Sequence, residues 1–186
     1  MTKKQIIEDY LEDLIKVRKL IEINQIEKIL DSLEIISLLN KKLFIAGNGG
    51  SAGTASHLVC DMVKNIGNRR FKMISLVDNV PIMSAYANDV SYEKVFSSIL
   101  DDLGEKGDAL LVLTASGNSP NILQAIETAK KIGMTTIGFL GFDGGQAKRR
   151  LDEYILIPSK NYGIVEDFHL VLGHIITDYF KKQNES

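Results

Sequence analysis

The 186-residue sequence contains one cysteine, three histidines and no long apolar run. A lone cysteine, Cys60, cannot close an intrachain disulfide, which excludes a disulfide scaffold and suits a reducing compartment. Cys60 itself reads as a small apolar helix residue rather than a nucleophile. No apolar stretch approaches the roughly 20 residues of a membrane-spanning helix. The opening Met-Thr-Lys-Lys-Gln-Ile-Ile-Glu-Asp-Tyr is amphipathic and contains acidic residues, unlike a signal peptide. A cytoplasmic chain with no membrane partner is expected. The formal net charge of -2 gives no overall pull toward nucleic acid. The Arg69-Arg70 pair and the Lys148-Arg149-Arg150 run are short enough to be solvated surface. No repeat, low-complexity stretch or linker divides the chain, so one domain over residues 1–186 is expected.

What is present is ordinary globular material, 45% hydrophobic and 25% charged, in two kinds of pattern. Residues 3–40 carry aliphatics at helical spacing, from Ile6, Ile7, Leu11, Leu14, Ile15 and Val17 to Ile26, Ile29, Leu30, Leu33, Ile36 and Leu39. A break is expected at Asn24-Gln25. This arm has more apolar surface than one small sheet can cover, so part of it is expected to pack on another subunit. From residue 41 onward, apolar runs at 43–46, 73–77, 109–113, 135–140 and 154–157 have the near-continuous character of strands buried on both faces. Helical patterns at 52–65, 79–87, 91–103, 120–132, 145–150 and 164–182 lie between or after them. That alternation predicts a three-layer α/β/α fold around a five-stranded parallel sheet.

Ligands in such sheets bind beyond the carboxyl ends of the strands, and two of the turns there have unusual chemistry. Gly47-Asn48-Gly49-Gly50-Ser51-Ala52 offers close backbone approach, and Ser51 is placed to cap the next helix. Thr114-Ala115-Ser116-Gly117-Asn118-Ser119-Pro120 sets three hydroxyls beside a helix start, with Ser119 as N-cap and Pro120 in the first turn. Together they suit a phosphorylated small molecule. The first turn also fits a dinucleotide fingerprint as Gly47-x-Gly49-x-x-Ala52 with Asp78 following, a reading that leaves the second turn unexplained.

The histidines add proton chemistry. His57 and Asp61, at i and i+4, share one helix face about two turns from the glycine turn. Glu166, Asp167, His169 and His174 cluster near the start of the last helix. Such groups suit the acid/base work of aldose–ketose isomerisation, or a divalent metal that polarises a carbonyl. An ordinary helix-surface pair or a packed histidine is the plain alternative for each.

The ordered series Gly-Asn-Gly-Gly-Ser-Ala at 47–52, His57, Asp78, Ala87-Asn88-Asp89, Ser116-Gly117-Asn118-Ser119-Pro120 and His174 resembles the sugar-isomerase (SIS) family over nearly the whole chain. The resemblance implies a flavodoxin-like sheet and a homotetramer with sites between subunits. It implies isomerisation of sedoheptulose 7-phosphate or a related phosphosugar in surface-polysaccharide precursor synthesis, with catalytically inactive binding or scaffold relatives as the alternative. Asn48, Gly49, Gly50, Ser51, Asp89, Thr114, Ser116, Ser119 and Glu166 fall at its substrate positions. Asp61 and His174 fall at its acid/base positions, with His169 as second choice. His57, Asp61, Glu166 and His174 match positions that hold Zn²⁺ in some members. The chain departs from the family at Asp61 (a glutamate there), Glu166 (a glutamine), Asn65 and Ile164 (arginines) and Ala115 (a threonine). The Asp61 carboxylate reaches roughly 1–1.5 Å less far than a glutamate. Glu166 and His174 stand about 12 Å apart along a straight helix, too far to share one ion unless Glu166 precedes the helix or another subunit contributes.

Overall fold

In the computed structural model, which describes residues 1–66 and 71–185, seven α-helices surround five strands. The Arg69-Arg70 pair lies outside the described residues. The arm forms α1 (Lys3–Leu20) and α2 (Ile23–Leu38), and the strands are β1 (Lys42–Gly47), β2 (Lys72–Ser75), β3 (Ala109–Thr114), β4 (Thr135–Gly141) and β5 (Glu153–Ile157). Between and after them come α3 (Gly50–Asn65), α4 (Val80–Asp89), α5 (Val95–Leu103), α6 (Pro120–Ile132) and α7 (Tyr162–Glu185).

The sheet is wholly parallel with strand order β2-β1-β3-β4-β5. Alternate strand residues feed two cores. Leu43, Ile45, Leu111 and Leu113 pack under α2, α3 and α7, while Phe44, Ala46, Leu110 and Val112 pack under α5 and α6. The central strands β1, β3 and β4 are buried on both faces, which is why they read as unbroken apolar runs.

Several boundaries differ from the sequence expectation for local reasons. The arm breaks at Ile21-Glu22 rather than Asn24-Gln25, because both residues are extended and the next helix resumes at Ile23. Residues 145–150 make only a 3₁₀ turn at Ala147–Arg149, since Gly144 and Gly145 hold positive φ immediately before it. The 91–103 segment divides into a 3₁₀ turn, Tyr92–Lys94, and α5. Helix α7 begins at Tyr162, with the Asn161 side chain accepting the Gly163 N–H, so Glu166 lies inside the helix and not in a loop before it.

The arm is fixed to the core by Val17, Ile21, Ile29, Leu33 and Ile36, and by the Tyr10 hydroxyl donating to Asp167 Oδ2 at 2.7 Å. That bond to a carboxylate pushes the Tyr10 pKa up to about 12. Ile6, Ile7, Leu11 and Ile15 nevertheless stay exposed along α1.

The loops after β3 and β4 meet at Gly117. Its φ is +64°, and a Cβ there would stand 2.0 Å from the Gly144 carbonyl oxygen, a backbone atom that cannot swing aside. Gly117→Ala should therefore lower the unfolding free energy by more than about 1 kcal/mol in urea titrations.

Candidate active site

The strand order reverses between β1 and β3, which are hydrogen-bonded neighbours with Gly47 beside Leu113. The two turns singled out by sequence therefore leave the same edge side by side, at the position where open α/β sheets bind ligands. An amide pair joins them. Asn48 Nδ2 donates to Asn121 Oδ1 and Asn121 Nδ2 donates to Asn48 Oδ1, both at 2.9 Å, and the Tyr92 hydroxyl donates to the same Asn48 oxygen. Asn121 is buried in the first turn of α6, and its Oδ1 also takes the Ile122 N–H. Asn48 is thus committed first to joining the turns. Sequence reasoning missed Asn121 and Tyr92; only the polar residue directly behind Ser119-Pro120 gave any hint.

The turns enclose a cavity of about 130 Å³ lined by Asn48, Ser51, Thr114, Ser116, Ser119 and Glu166, with Tyr162 closing one side. This is well under the roughly 300–1,000 Å³ of pockets for larger ligands, so it suits a single phosphate better than a dinucleotide. Among the described residues, no lysine, arginine or histidine lines it. Positive potential comes instead from the starts of α3 and α6. Thr114 Oγ1 accepts the Gly117 N–H and Ser116 Oγ accepts the Asn118 N–H, so each keeps its own proton to donate. Ser119 is the N-cap of α6 as expected, and its hydroxyl makes no capping bond.

Ser51 is not a cap. The N-cap of α3 is Gly49, at φ 56°, and Ser51 is the second residue of the helix, buried, with Oγ 3.5 Å from His169 Nδ1. Gly50 lets another side chain come close. A Cβ there would fall 2.3 Å from Glu166 Oε2, so the Glu166 carboxylate rests directly on the first turn of α3.

Helices α3 and α7 both start at this cavity and pack along each other away from it. About 9 Å along α3 from Ser51, His57 Nε2 stands 3.1 Å from His174 Nε2 of α7 and 3.1 Å from Asp61 Oδ2. His174 Nε2 lies 3.6 Å from the same carboxylate oxygen. Three donor atoms thus converge on one point, at separations near the roughly 3.3–3.6 Å edge of a tetrahedral site with 2.0–2.2 Å metal bonds. The set can hold a divalent cation or share a proton. His57 and His174 are about half exposed and Asp61 less so.

Not every expected site residue joins these two clusters. Glu166 belongs to the small cavity and not to the His57–Asp61–His174 group, because helix spacing keeps it two turns from His174. Asp89 ends α4 and lines a separate groove of about 390 Å³ with Tyr86, Asp102 and Ile99. His169 is fully buried, and burial lowers its pKa to about 4 against an opposing interaction with the Phe139 backbone.

Residues 9–141 match the SIS domain model. A phosphoheptose isomerase of Clostridium acetobutylicum is 36% identical over 163 residues, 87% of this chain and 83% of that protein. One from Sulfurimonas denitrificans is 34% identical over 181 residues, 90% of this chain and 93% of its own. The solved phosphoheptose isomerase from Francisella tularensis superposes with a TM-score of 0.90 at 25% identity, over 98% of this chain and all (100%) of that one.

Gly50→Ala should displace only the flexible Glu166 tip, so unfolding free energy should change by less than about 1 kcal/mol. A larger loss in urea titration would contradict that packing. A second expectation concerns acid. His169 is neutral in the folded chain down to about pH 4, whereas an unfolded histidine takes a proton near 6.5. The unfolded state binds that proton first, so its contribution to stability is complete above pH 6.5 and is lost as pH falls toward 4. The loss should be on the order of a few kcal/mol in urea titrations across that window, and His169→Asn should flatten it.

Proposed function

The chain belongs to the SIS domain family, and on that premise we propose that it is a phosphosugar aldose–ketose isomerase acting on sedoheptulose 7-phosphate or a close relative. The observation that carries this reading is that one pair of helices begins at an anion cavity and brings a His57–Asp61–His174 cluster together two turns further on.

The distances favour a long substrate. An extended chain advances about 1.2 Å per bond, so the carbonyl carbons of a seven-carbon 7-phosphate lie roughly 8–10 Å from phosphorus. The rise along α3 from Ser51 to His57 is about 9 Å. With the phosphate held by Ser51, Thr114, Ser116 and Ser119, the reacting carbons reach the cluster. Asp61 then takes the proton from the carbon next to the carbonyl and returns it to the neighbouring carbon. His174 carries the hydroxyl proton in the opposite sense. Glu166, at the mouth of the cavity, accepts from the sugar hydroxyl nearest the phosphate. Asp89 acts on substrate held by a neighbouring subunit.

The converging donors fit a cation such as Zn²⁺, which His57, Asp61 and His174 would hold. Bound there, it would polarise the carbonyl as a Lewis acid.

The exposed apolar residues Ile6, Ile7, Leu11 and Ile15 of α1, with Val171 and Ile175 flanking His174 on α7, support a homotetramer whose sites lie between subunits. Among the described residues no helix is long and apolar enough to cross a membrane, and the proposal places the enzyme in the cytoplasm. Its product would enter surface-polysaccharide precursor synthesis.

Incubation with sedoheptulose 7-phosphate and a panel of C5–C7 ketose phosphates, with and without Zn²⁺, should yield aldose by NMR and mass spectrometry. No aldose from any of them would end the isomerase reading, and binding without turnover would identify a phosphosugar-binding protein instead. Asp61→Asn should cut kcat by about 10²–10⁴-fold while inorganic phosphate binding persists. Replacing Ile7 and Leu11 together by aspartate should lower the mass seen by light scattering and the activity with it.

A further inference from the structure

The buried contact between Ser51 and His169 fixes something the cavity needs, namely the direction of a hydroxyl proton. His169 sits in α7 with no exposure, its ring 6.4 Å from that of Phe139. Nδ1 is 3.5 Å from Ser51 Oγ, and Nε2 is buried with no partner in hydrogen-bond geometry among the described residues, the Phe139 backbone being a looser neighbour of the ring. Ser51 is itself 4% exposed, yet lines the anion cavity.

A neutral imidazole carries one proton, on one nitrogen or the other. With the proton on Nε2, a buried N–H would meet no acceptor in hydrogen-bond geometry, the Phe139 backbone interacting with the ring only outside that geometry, at a cost of about 1–3 kcal/mol. Nδ1 would then accept from Ser51, turning the serine proton away from the cavity and presenting only lone pairs to an anion. With the proton on Nδ1, the unpartnered atom is merely a lone pair, the milder of the two defects. Nδ1–H then donates to Ser51 Oγ, and the serine O–H is left to point at the ligand. The orphaned Nε2 and the anion cavity favour the same tautomer, from opposite sides of the ring. Burial supports this by keeping the ring neutral at physiological pH.

We infer that His169 is a positioning residue: as the Nδ1–H tautomer it donates to Ser51 Oγ and so commits the Ser51 proton to the phosphate of the substrate. The inference rests on the reading of the cavity as a phosphate site. It gives a role in binding to a histidine that reaches neither the phosphate nor the reacting carbons. The 3.5 Å separation is at the long end for a hydrogen bond, as expected of a contact that tightens when an anion pulls on the serine proton.

The test has two independent arms on the full-length chain. Long-range ¹H–¹⁵N correlation spectra of histidine-labelled protein near pH 7.5 should show the Nδ1–H pattern for the signal that disappears in His169→Asn. An Nε2–H or doubly protonated pattern would overturn the inference. Calorimetry with inorganic phosphate provides the second arm. His169→Asn, which offers an amide N–H near the Nδ1 position, should retain affinity within about threefold, whereas His169→Phe should weaken it by about tenfold, the loss of one hydrogen bond to an anion-bound hydroxyl. With substrate, His169→Phe should raise KM more than it lowers kcat. Ser51→Ala should weaken phosphate binding similarly, and adding His169→Phe to it should cost nothing more. Additive losses would overturn the link between the two residues, and so decide the matter even where His169→Phe alone melts early. Failure of the unmodified chain to bind phosphate would overturn the cavity reading and this inference with it. A wrong tautomer would overturn this inference alone.

Discussion

Parallel pairing of β1 with β3 is the constraint on which the rest of the site depends. It sets Gly47 beside Leu113, so two turns separated by more than sixty residues leave the sheet together. Helices α3 and α6 then aim their amino ends at one small volume. The Asn48–Asn121 amide pair joins the turns where no backbone bond does, and Tyr92 fills the remaining acceptor capacity. Because α7 also starts at that edge and packs on α3, the same geometry brings His174 to His57 and Asp61. The cavity and the His57–Asp61–His174 cluster are two levels of one helix pair.

The sheet was legible because its strands are buried on both faces, which leaves runs such as Leu43–Ala46 and Ala109–Leu113 without polar interruption. The errors fell where local backbone decides. Two glycines at positive φ reduced 145–150 to a single 3₁₀ turn, and an extended Ile21-Glu22 moved the arm's break. In the site, His57 and Asp61 were legible together because four residues on one helix always meet. The preference for His174 over His169 came only through resemblance, since its meeting with His57 spans 117 residues. Asn121 and the Ser51–His169 contact were invisible for the same reason, being side-chain partners across 73 and 118 residues. Ser51 shows how a plausible local rule can fail. A serine after glycines suggests a cap, but Gly49 takes that position and frees Ser51 to face inward.

Glu166 gains a clearer place from the geometry. Sequence comparison offers it as a fourth ligand to the metal position, whereas within one chain it rests on Gly50 at the cavity. A carboxylate at the first turn of α3 is favoured by the same helix dipole that favours a phosphate. The residue and the ligand therefore draw on one field, and the glycine makes room for both.

That no lysine, arginine or histidine among the described residues lines the cavity has a consequence beyond affinity. A site built on cationic side chains loses its hold as dissolved ions screen the attraction, over a Debye length of about 8 Å at physiological ionic strength. On the proposed phosphate reading, the grip would come from hydroxyls and backbone dipoles at contact distance, where intervening ions have no room. Such a pocket recognises the shape and hydrogen-bonding capacity of a phosphoryl group more than its charge. Its occupancy is tied to metabolite concentration and only weakly to the salt content of the surrounding solution.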